Sequence, residues 1–268
     1  MKFSMKSPAA SPFLLLVLLV FGTSTAHAQW WKLNKKVNGN GTVTTETRTV
    51  ADFDEVSAAT GLHVVFTQGP KSVKVTADEN LHEYILTEVN NGKLTVKRKN
   101  NTYFKRYKTI MVYVSTPEIY GLYASSGGEL ETDERVSTKS MNLRASSGGS
   151  LDVDVTSETI DMDSSSGSSL KATVKAETLD ASASSGSNTK ISGTANKATV
   201  DVSSGANISA KELTAIDCTA SASSGGGVTI TVTNQLDGRA SSGGSVGYWG
   251  NPSQVDKNTS SGGSVSKK

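Results

Sequence analysis

The sequence from Met141 to Val153 reads Met-Asn-Leu-Arg-Ala-Ser-Ser-Gly-Gly-Ser-Leu-Asp-Val. Apolar residues alternate with polar ones on both sides of its Ser-Ser-Gly core, at Met141, Leu143, Ala145, Leu151 and Val153. Such alternation is typical of a strand with one buried face, and glycine permits a sharp bend between two strands. The stretch therefore predicts two short strands joined by a corner.

This pattern is an internal repeat. Ser-Ser-Gly occurs eight times, with first serines at Ser125, Ser146, Ser165, Ser184, Ser203, Ser223, Ser241 and Ser260. Seven of the eight residues found five positions after these serines are apolar: Leu130, Leu151, Leu170, Ile208, Val228, Val246 and Val265. A Gly/Ser linker shows no such period, whereas stacked units of two strands and two turns bury a continuous core. The sequence predicts an all-β fold, a parallel β-helix (β-solenoid) with rungs of about 19 residues.

The Ser-Ser-Gly corner has its own chemistry. Its glycine, as at Gly167, can take the positive φ that a bend between strands requires. We expect the first serine, as at Ser165, to point outward. The second serine should point inward, where its hydroxyl can bond to the neighbouring rung. A serine-rich ligand surface is the alternative interpretation.

The first 28 residues have the pattern of a signal peptide. Lys2 and Lys6 form a charged head, an apolar run covers 13–21, and Ala26-His27-Ala28 is a small-x-small cleavage site. Cleavage there makes Gln29 the first residue of the mature chain. The pattern predicts an exported protein in the periplasm, on the outer surface or outside the cell.

The composition of the mature chain excludes several classes of protein. The full chain has 27 Lys and Arg and 25 Asp and Glu. Removal of Lys2 and Lys6 leaves 25 of each, and a balanced charge argues against a general nucleic-acid partner. The sequence contains no second long apolar run, so we predict no transmembrane segment in the mature chain. Cys218 is the only cysteine, so no intrachain disulfide can form, and we expect a buried thiol.

The region before the repeat has no period. We expect 29–47 to be a flexible lead-in and 48–268 to be a single domain. Its 48–119 part should be a β-rich cap over the N-terminal end of the Ser-Ser-Gly rungs, which occupy 120–268. A short helix is predicted from Asp78 to about Glu88, and Asn91-Gly92 predicts a hairpin turn.

Three stretches together resemble a known family. Its opening is similar to Gly39-Asn40-Gly41 with Arg48 and Phe53, its middle to 64–69 and 78–94, and its close to 248–252 followed by 260–263. The chain is thereby identified as a member of the putative auto-transporter adhesin head GIN domain family of bacterial envelope proteins, over about residues 39–265. The resemblance implies a right-handed parallel β-helix and an adhesin-type role.

One stretch combines positive charge with aromatic residues and contains no acid. Its candidate ligand-binding residues are Lys97, Arg98, Lys99, Tyr103, Phe104, Lys105, Arg106, Tyr107 and Lys108. Basic and aromatic side chains on one loop suit an anionic glycan or a lipid head group. The alternative is a long solvated hairpin loop whose charges prevent edge pairing.

Aspartates recur in one outward column of the repeat. Asp161 and Asp180 occupy adjacent rungs with Asp163 nearby, and Asp237 and Asp256 form a second pair. Carboxylates stacked at the strand spacing repel one another, and bound Ca²⁺ would relieve that repulsion. Solvated carboxylates are the alternative. His63 and His82 do not have the spacing of metal ligands, and we expect both to be surface residues.

No motif predicts catalysis. Residues 243–247 match the Gly-x-Ser-x-Gly elbow, but that motif needs a following helix, which a solenoid corner lacks. We expect no cofactor. The sequence favours an exported, non-catalytic envelope protein that acts in adhesion or ligand binding, with an anionic glycan, a lipid head group or another envelope component as partner. A polysaccharide lyase or hydrolase is the alternative, with Arg144, Asp161, Asp163 and Asp180 as its acid and base cluster.

Overall fold

The structure is a computed structural model that describes residues 35–268. The predicted signal peptide and its cleavage site lie outside the described residues. Within 35–268 the chain forms a β-solenoid of about eight turns, as the repeat predicted. No helix in this part of the chain is long and apolar enough to cross a membrane.

The Ser-Ser-Gly rungs contain eleven strands. They are β10 (Gly121–Ser125), β11 (Glu129–Thr132), β12 (Val136–Ala145), β13 (Ser150–Ser164), β14 (Ser169–Ala183), β15 (Asn188–Val202), β16 (Asn207–Ala222), β17 (Gly227–Ala240), β18 (Ser245–Trp249), β19 (Gln254–Thr259) and β20 (Ser264–Lys267). Strands β13 to β17 each continue from one Ser-Ser-Gly corner to the next, so the second turn expected in each rung is instead a bend within a strand. A gradual bend keeps most of the parallel hydrogen-bond ladder intact, which favours it over a turn.

The register confirms the apolar columns. Leu151 lies beside Leu170 and Leu170 beside Thr189, each in parallel pairing with the next rung. These three residues are buried, as are most members of the apolar columns that flank each corner. Small and branched side chains fill this narrow core, which is why the chain needs few large aromatic residues.

The corner differs from the prediction at its second serine. Ser126 (φ 51°) and Gly127 (φ 72°) are both left-handed, and the Gly128 amide donates to the Ser125 carbonyl over 2.8 Å. This is a type I′ turn, which exposes the second serine instead of turning it inward. The residue after the glycine is the one that points inward. In one rung it is Ser187, whose Oγ donates to the Ser164 carbonyl of the preceding rung over 2.9 Å.

Parallel stacking continues into the N-terminal part. Its strands are β2 (Val43–Thr47), β3 (Glu55–Ala59), β4 (His63–Gln68), β5 (Ser72–Asp78), β6 (Ile85–Asn90), β7 (Lys93–Arg98) and β9 (Ile110–Thr116). Strands β3 and β4 pair in parallel with β10 and β11 of the first rung, and β7 and β9 pair in parallel with β3 and β4. The antiparallel strands β6, β5 and β2 complete the sheet. The predicted Asn91-Gly92 hairpin is confirmed, since it joins β6 to β7 with both residues at positive φ.

The structure changes the extent of two predicted features in this part. The segment expected to be a flexible lead-in contains β1 (Lys35–Asn38) and β2, so regular structure begins earlier than the repeat indicated. The predicted helix is a short 3₁₀ helix at Glu79–Tyr84, and the chain then turns into β6. Antiparallel pairing with β7 satisfies the backbone from Ile85 onward and buries that side chain, which overrides the local helical pattern.

The buried cysteine leads to a first prediction. Cys218 is 4% exposed and lies between Ala198 and Leu236 of the adjacent rungs, and burial raises the pKa of its thiol to about 12. We expect native protein to react with a thiol reagent far more slowly than unfolded protein at pH 8. Because the thiol of the unfolded chain titrates near pH 9.0, this group should lower the free energy of unfolding only above that pH. Rapid labelling of folded protein would contradict the assigned column.

Candidate functional site

The basic and aromatic stretch is not the loop that the sequence predicted. Strand β7 extends to Arg98, and after a turn the chain forms β8 (Thr102–Lys105). Strand β8 pairs in parallel with β1, placing Lys36 beside Tyr103 and Asn38 beside Lys105. The stretch is therefore ordered by a partner strand more than sixty residues earlier in the chain, which no local pattern reveals.

The small β1–β8 sheet has two different faces. Thr102 is buried, and Val37 and Phe104 are half-buried against the core of the domain. Lys36, Tyr103 and Lys105 are exposed on the other face, as strand alternation requires. We call the exposed face and its flanks the basic–aromatic surface, which consists of Lys35, Lys36, Arg98, Lys99, Tyr103, Lys105, Arg106, Tyr107 and Lys108.

An aromatic cluster supports this surface from below. Phe104 makes edge-to-face contacts with Tyr84 and Tyr107, each at 6.4 Å between ring centroids. Tyr103 and Tyr107 are 50% and 48% exposed, so their rings are available although the backbone beneath them is fixed. The Arg98 guanidinium lies 4.9 Å from the Tyr103 ring centroid, a cation–π distance that holds positive charge beside the exposed ring.

A buried carboxylate fixes the far end of the surface. Asp78 is fully buried and accepts hydrogen bonds from the Gly41 amide at 2.8 Å and the Lys108 amide at 3.0 Å. Burial alone would raise the pKa of Asp78, but the backbone amides of Gly41, Lys108 and Thr109 hold it below its usual range. The carboxylate thus ties the end of β8 to the β1–β2 connection, whereas the sequence predicted Asp78 only as the start of a helix.

Two stretches of the family signature meet at this carboxylate. The Asn40 amide donates to Asn80 Oδ1 at 2.9 Å, and Asn80 Nδ2 donates to the Asn38 carbonyl at 2.8 Å. Gly39 lies so close that an added Cβ would be 2.8 Å from Tyr107 Cα and would also overlap the Asp78 carboxylate. The Gly39-Asn40-Gly41 signature is therefore required for packing beside the basic–aromatic surface.

The structure separates the predicted ligand-binding residues into two groups. Lys97 forms an ion pair with Glu88 at 2.8 Å, so its charge is largely compensated. Lys99, Lys105, Arg106 and Lys108 are exposed, and none of them forms an ion pair with a residue between 35 and 268. Lys35 and Lys36 are not among the predicted residues, because their place on the surface depends on the β1–β8 pairing.

The aspartate pairs lie in the predicted register. Asp161 is beside Asp180 and Asp237 is beside Asp256, while Asp163 is beside Ser182. Asp237 also forms an ion pair with Arg239 at 2.6 Å. Among the described residues, no group of three or more His, Cys, Asp or Glu side chains could hold a metal ion. Calcium binding at these pairs stays a prediction.

The acid and base cluster of the enzyme alternative is only loosely assembled. Asp163 lies beside Arg144 in the register, but Arg144 Nε donates to Asn142 Oδ1 at 2.9 Å. Asp163 also lines a cavity of about 260 Å³ with Asp201 and several serines.

The surface position expected for His82 is wrong, because β2 covers this residue and Thr44 Oγ1 lies 3.1 Å from its Nε2. His63 is half-buried beside Glu131, so the two histidines do not form one site.

The fold places the chain among the all-β parallel solenoid proteins. The chain belongs to the family described as putative auto-transporter adhesin, head GIN domain, which matches residues 52–173 and 157–252. This confirms the family resemblance predicted from the residues. No curated protein matches the chain.

Solved structures of similar fold include proteins of Parabacteroides and Bacteroides species. A protein described as a putative lipid binding protein of Parabacteroides distasonis is 22% identical, with a TM-score of 0.78 over 87% of this chain and all of that one. A putative adhesin of Parabacteroides merdae is 19% identical, with a TM-score of 0.77 over 87% of this chain and 99% of that one. A putative adhesin of Bacteroides fragilis is 17% identical, with a TM-score of 0.66. Neither the family description nor these names refer to a catalytic activity.

Proposed function

We propose that this chain is an exported, non-catalytic protein of the cell envelope that binds an anionic ligand through the basic–aromatic surface. The observation that carries the proposal is the exposed β1–β8 sheet, where uncompensated cations surround two half-exposed tyrosines. The predicted mature chain is neutral, so its attraction for anions has to be local. The adhesin and lipid-binding names of the family and of the similar structures support a binding role in the envelope.

The contacts of the surface suit binding better than catalysis. Its tyrosines and cations form a face held rigid by the Phe104 cluster and the Asp78 carboxylate. Exposed aromatic rings supply contact area at small entropic cost, and cations supply attraction that acts over about 10 Å at 0.1 M salt. A face of this kind can hold an anionic partner without reacting with it.

The proposal is tested by removing the charge from the surface. We expect the variant with Lys99, Lys105, Arg106 and Lys108 changed to serine to bind anionic probes at least about tenfold more weakly than wild type. The probes are a polyuronate, a sulfated glycan and vesicles containing phosphatidylglycerol, each titrated at increasing salt. Wild-type affinity should fall steeply with salt, and the remaining affinity of the variant should fall less.

A matched control separates local from general charge effects. Lys139, Lys175, Lys197 and Lys211 are exposed lysines of the Ser-Ser-Gly rungs, and changing all four to serine removes the same net charge. This control should bind like wild type. Equal loss in both variants, or no loss in the first, would contradict the proposal. Circular dichroism should show the same β-content for all three proteins.

A further inference from the structure

We propose that the anionic ligand of the basic–aromatic surface is a lipid bilayer, on which the β1–β8 sheet docks. This inference rests on the proposed function and names the ligand of the same site. Strand alternation points Tyr103 and Lys105 to one side, and the parallel register places Lys36 next to Tyr103 on that side. Tyrosine and lysine together are typical of the level of lipid head groups, because each joins an apolar body to a polar end.

The basic–aromatic surface is an open face that suits contact with the head-group region of a bilayer better than enclosure of a small ligand. Tyr103 and Tyr107 expose about half of their area, while Phe104 beneath them is anchored to the core. A cavity of about 370 Å³ lies elsewhere in the N-terminal part, but its lining includes Asp52, Asp54 and Glu118, which disfavour an anion. The basic–aromatic surface therefore combines positive charge with accessible apolar area, as docking on an anionic membrane requires.

The charge of the surface is nearly unopposed. Segments 35–45 and 89–116 contain no acidic residue, and the two segments meet in the β1–β8 sheet. The acids that approach its cations from neighbouring elements are Glu83, which acts on Lys35, and the buried Asp78, which acts on Lys108. The exposed face itself consists of cations, tyrosines and Asn38, a composition that suits phosphatidylglycerol-type head groups.

The test uses the exported protein with its N-terminus determined by mass spectrometry. Vesicles of phosphatidylcholine alone and vesicles containing phosphatidylglycerol are compared in a flotation assay. We expect wild type to float only with the anionic vesicles, and the variant lacking Lys99, Lys105, Arg106 and Lys108 to partition at least about a hundredfold more weakly. Changing Tyr103 and Tyr107 to serine, which keeps the charge, should weaken partitioning at least about tenfold. The matched control changes Tyr113 and Tyr120, which are 46% and 43% exposed, and should partition like wild type.

A second measurement reports insertion directly. In a Cys218→Ala background, Tyr103→Cys carries an environment-sensitive fluorophore, and Tyr120→Cys carries it in the control. On anionic vesicles the probe at 103 should shift to shorter wavelength and be quenched by lipids that carry a nitroxide, while the probe at 120 should not. A probe at 103 that stays in water while the protein floats would overturn docking through this sheet.

Comparing the vesicle experiments with the glycan and polyuronate experiments distinguishes failure of this inference from failure of the proposed function. If wild type binds the sulfated glycan or the polyuronate through the surface but ignores anionic vesicles, the bilayer is the wrong ligand and the proposed function stands. If wild type binds none of the probes, or the charge variant binds all of them as well as wild type, both are overturned. If the Tyr103 and Tyr107 variant and the Tyr113 and Tyr120 control lost vesicle partitioning equally, contact of this sheet with the bilayer would also be rejected.

Discussion

Replacing Gly149 by valine is expected to cost at least about 3 kcal/mol of the free energy of unfolding, because the close approach of two rungs leaves no room for a branched side chain. Gly149 follows the type I′ turn, and a side chain at this position would face the core. An added Cβ would lie 2.5 Å from the Ala124 carbonyl carbon of the preceding rung. The two extra methyl groups of valine would force that backbone apart and break nearby ladder bonds. Urea unfolding followed by circular dichroism measures the loss.

Two milder substitutions serve as controls. Gly149→Ala should cost about 1 kcal/mol, because Ala206 occupies the same position of another rung and shows that the backbone can adjust for one methyl group. Gly148→Ala should also cost about 1 kcal/mol, from its φ of 72° alone, since nothing lies within 4 Å of an added Cβ. If Gly149→Val were no worse than these two, the close approach between rungs would be wrong.

The second large effect is expected from Leu143→Ala, at about 3 kcal/mol. Leu143 is completely buried and lies between Leu122 and Met162 in the register of the rungs. Truncation removes apolar contacts with both neighbours and leaves a cavity, because the ladder above and below holds the backbone in place. The midpoint of urea unfolding should fall, while its dependence on urea should stay unchanged.

An exposed residue of the same strand provides the comparison. Ser140→Ala, on the outside of β12, should change the free energy of unfolding by less than about 0.5 kcal/mol. A loss below about 1 kcal/mol for Leu143→Ala would place that side chain outside the core and would contradict the register of the whole column.

The repeat could be read from the sequence because its contacts lie one rung apart. Leu130, Leu151 and Leu170 recur with the period that the stacked strands impose, and the structure pairs each with the next. The N-terminal part has no such period. The 3₁₀ helix that gives way to β6, and the unexpected strands β1 and β2, follow from pairings with distant strands that a local pattern cannot specify.

The sequence alone determined the strand alternation, the glycine at each corner and the presence of a cation-rich aromatic stretch, because these depend on residue type and spacing. Only the tertiary structure decided which charges act together. It brings Lys36 to Tyr103 and Lys35 to Tyr84, pairs Lys97 with Glu88, and uses Asp78 to hold the backbone at Lys108. Electrostatic and aromatic contacts depend on distance through space, and the parallel pairing of β1 with β8 sets those distances.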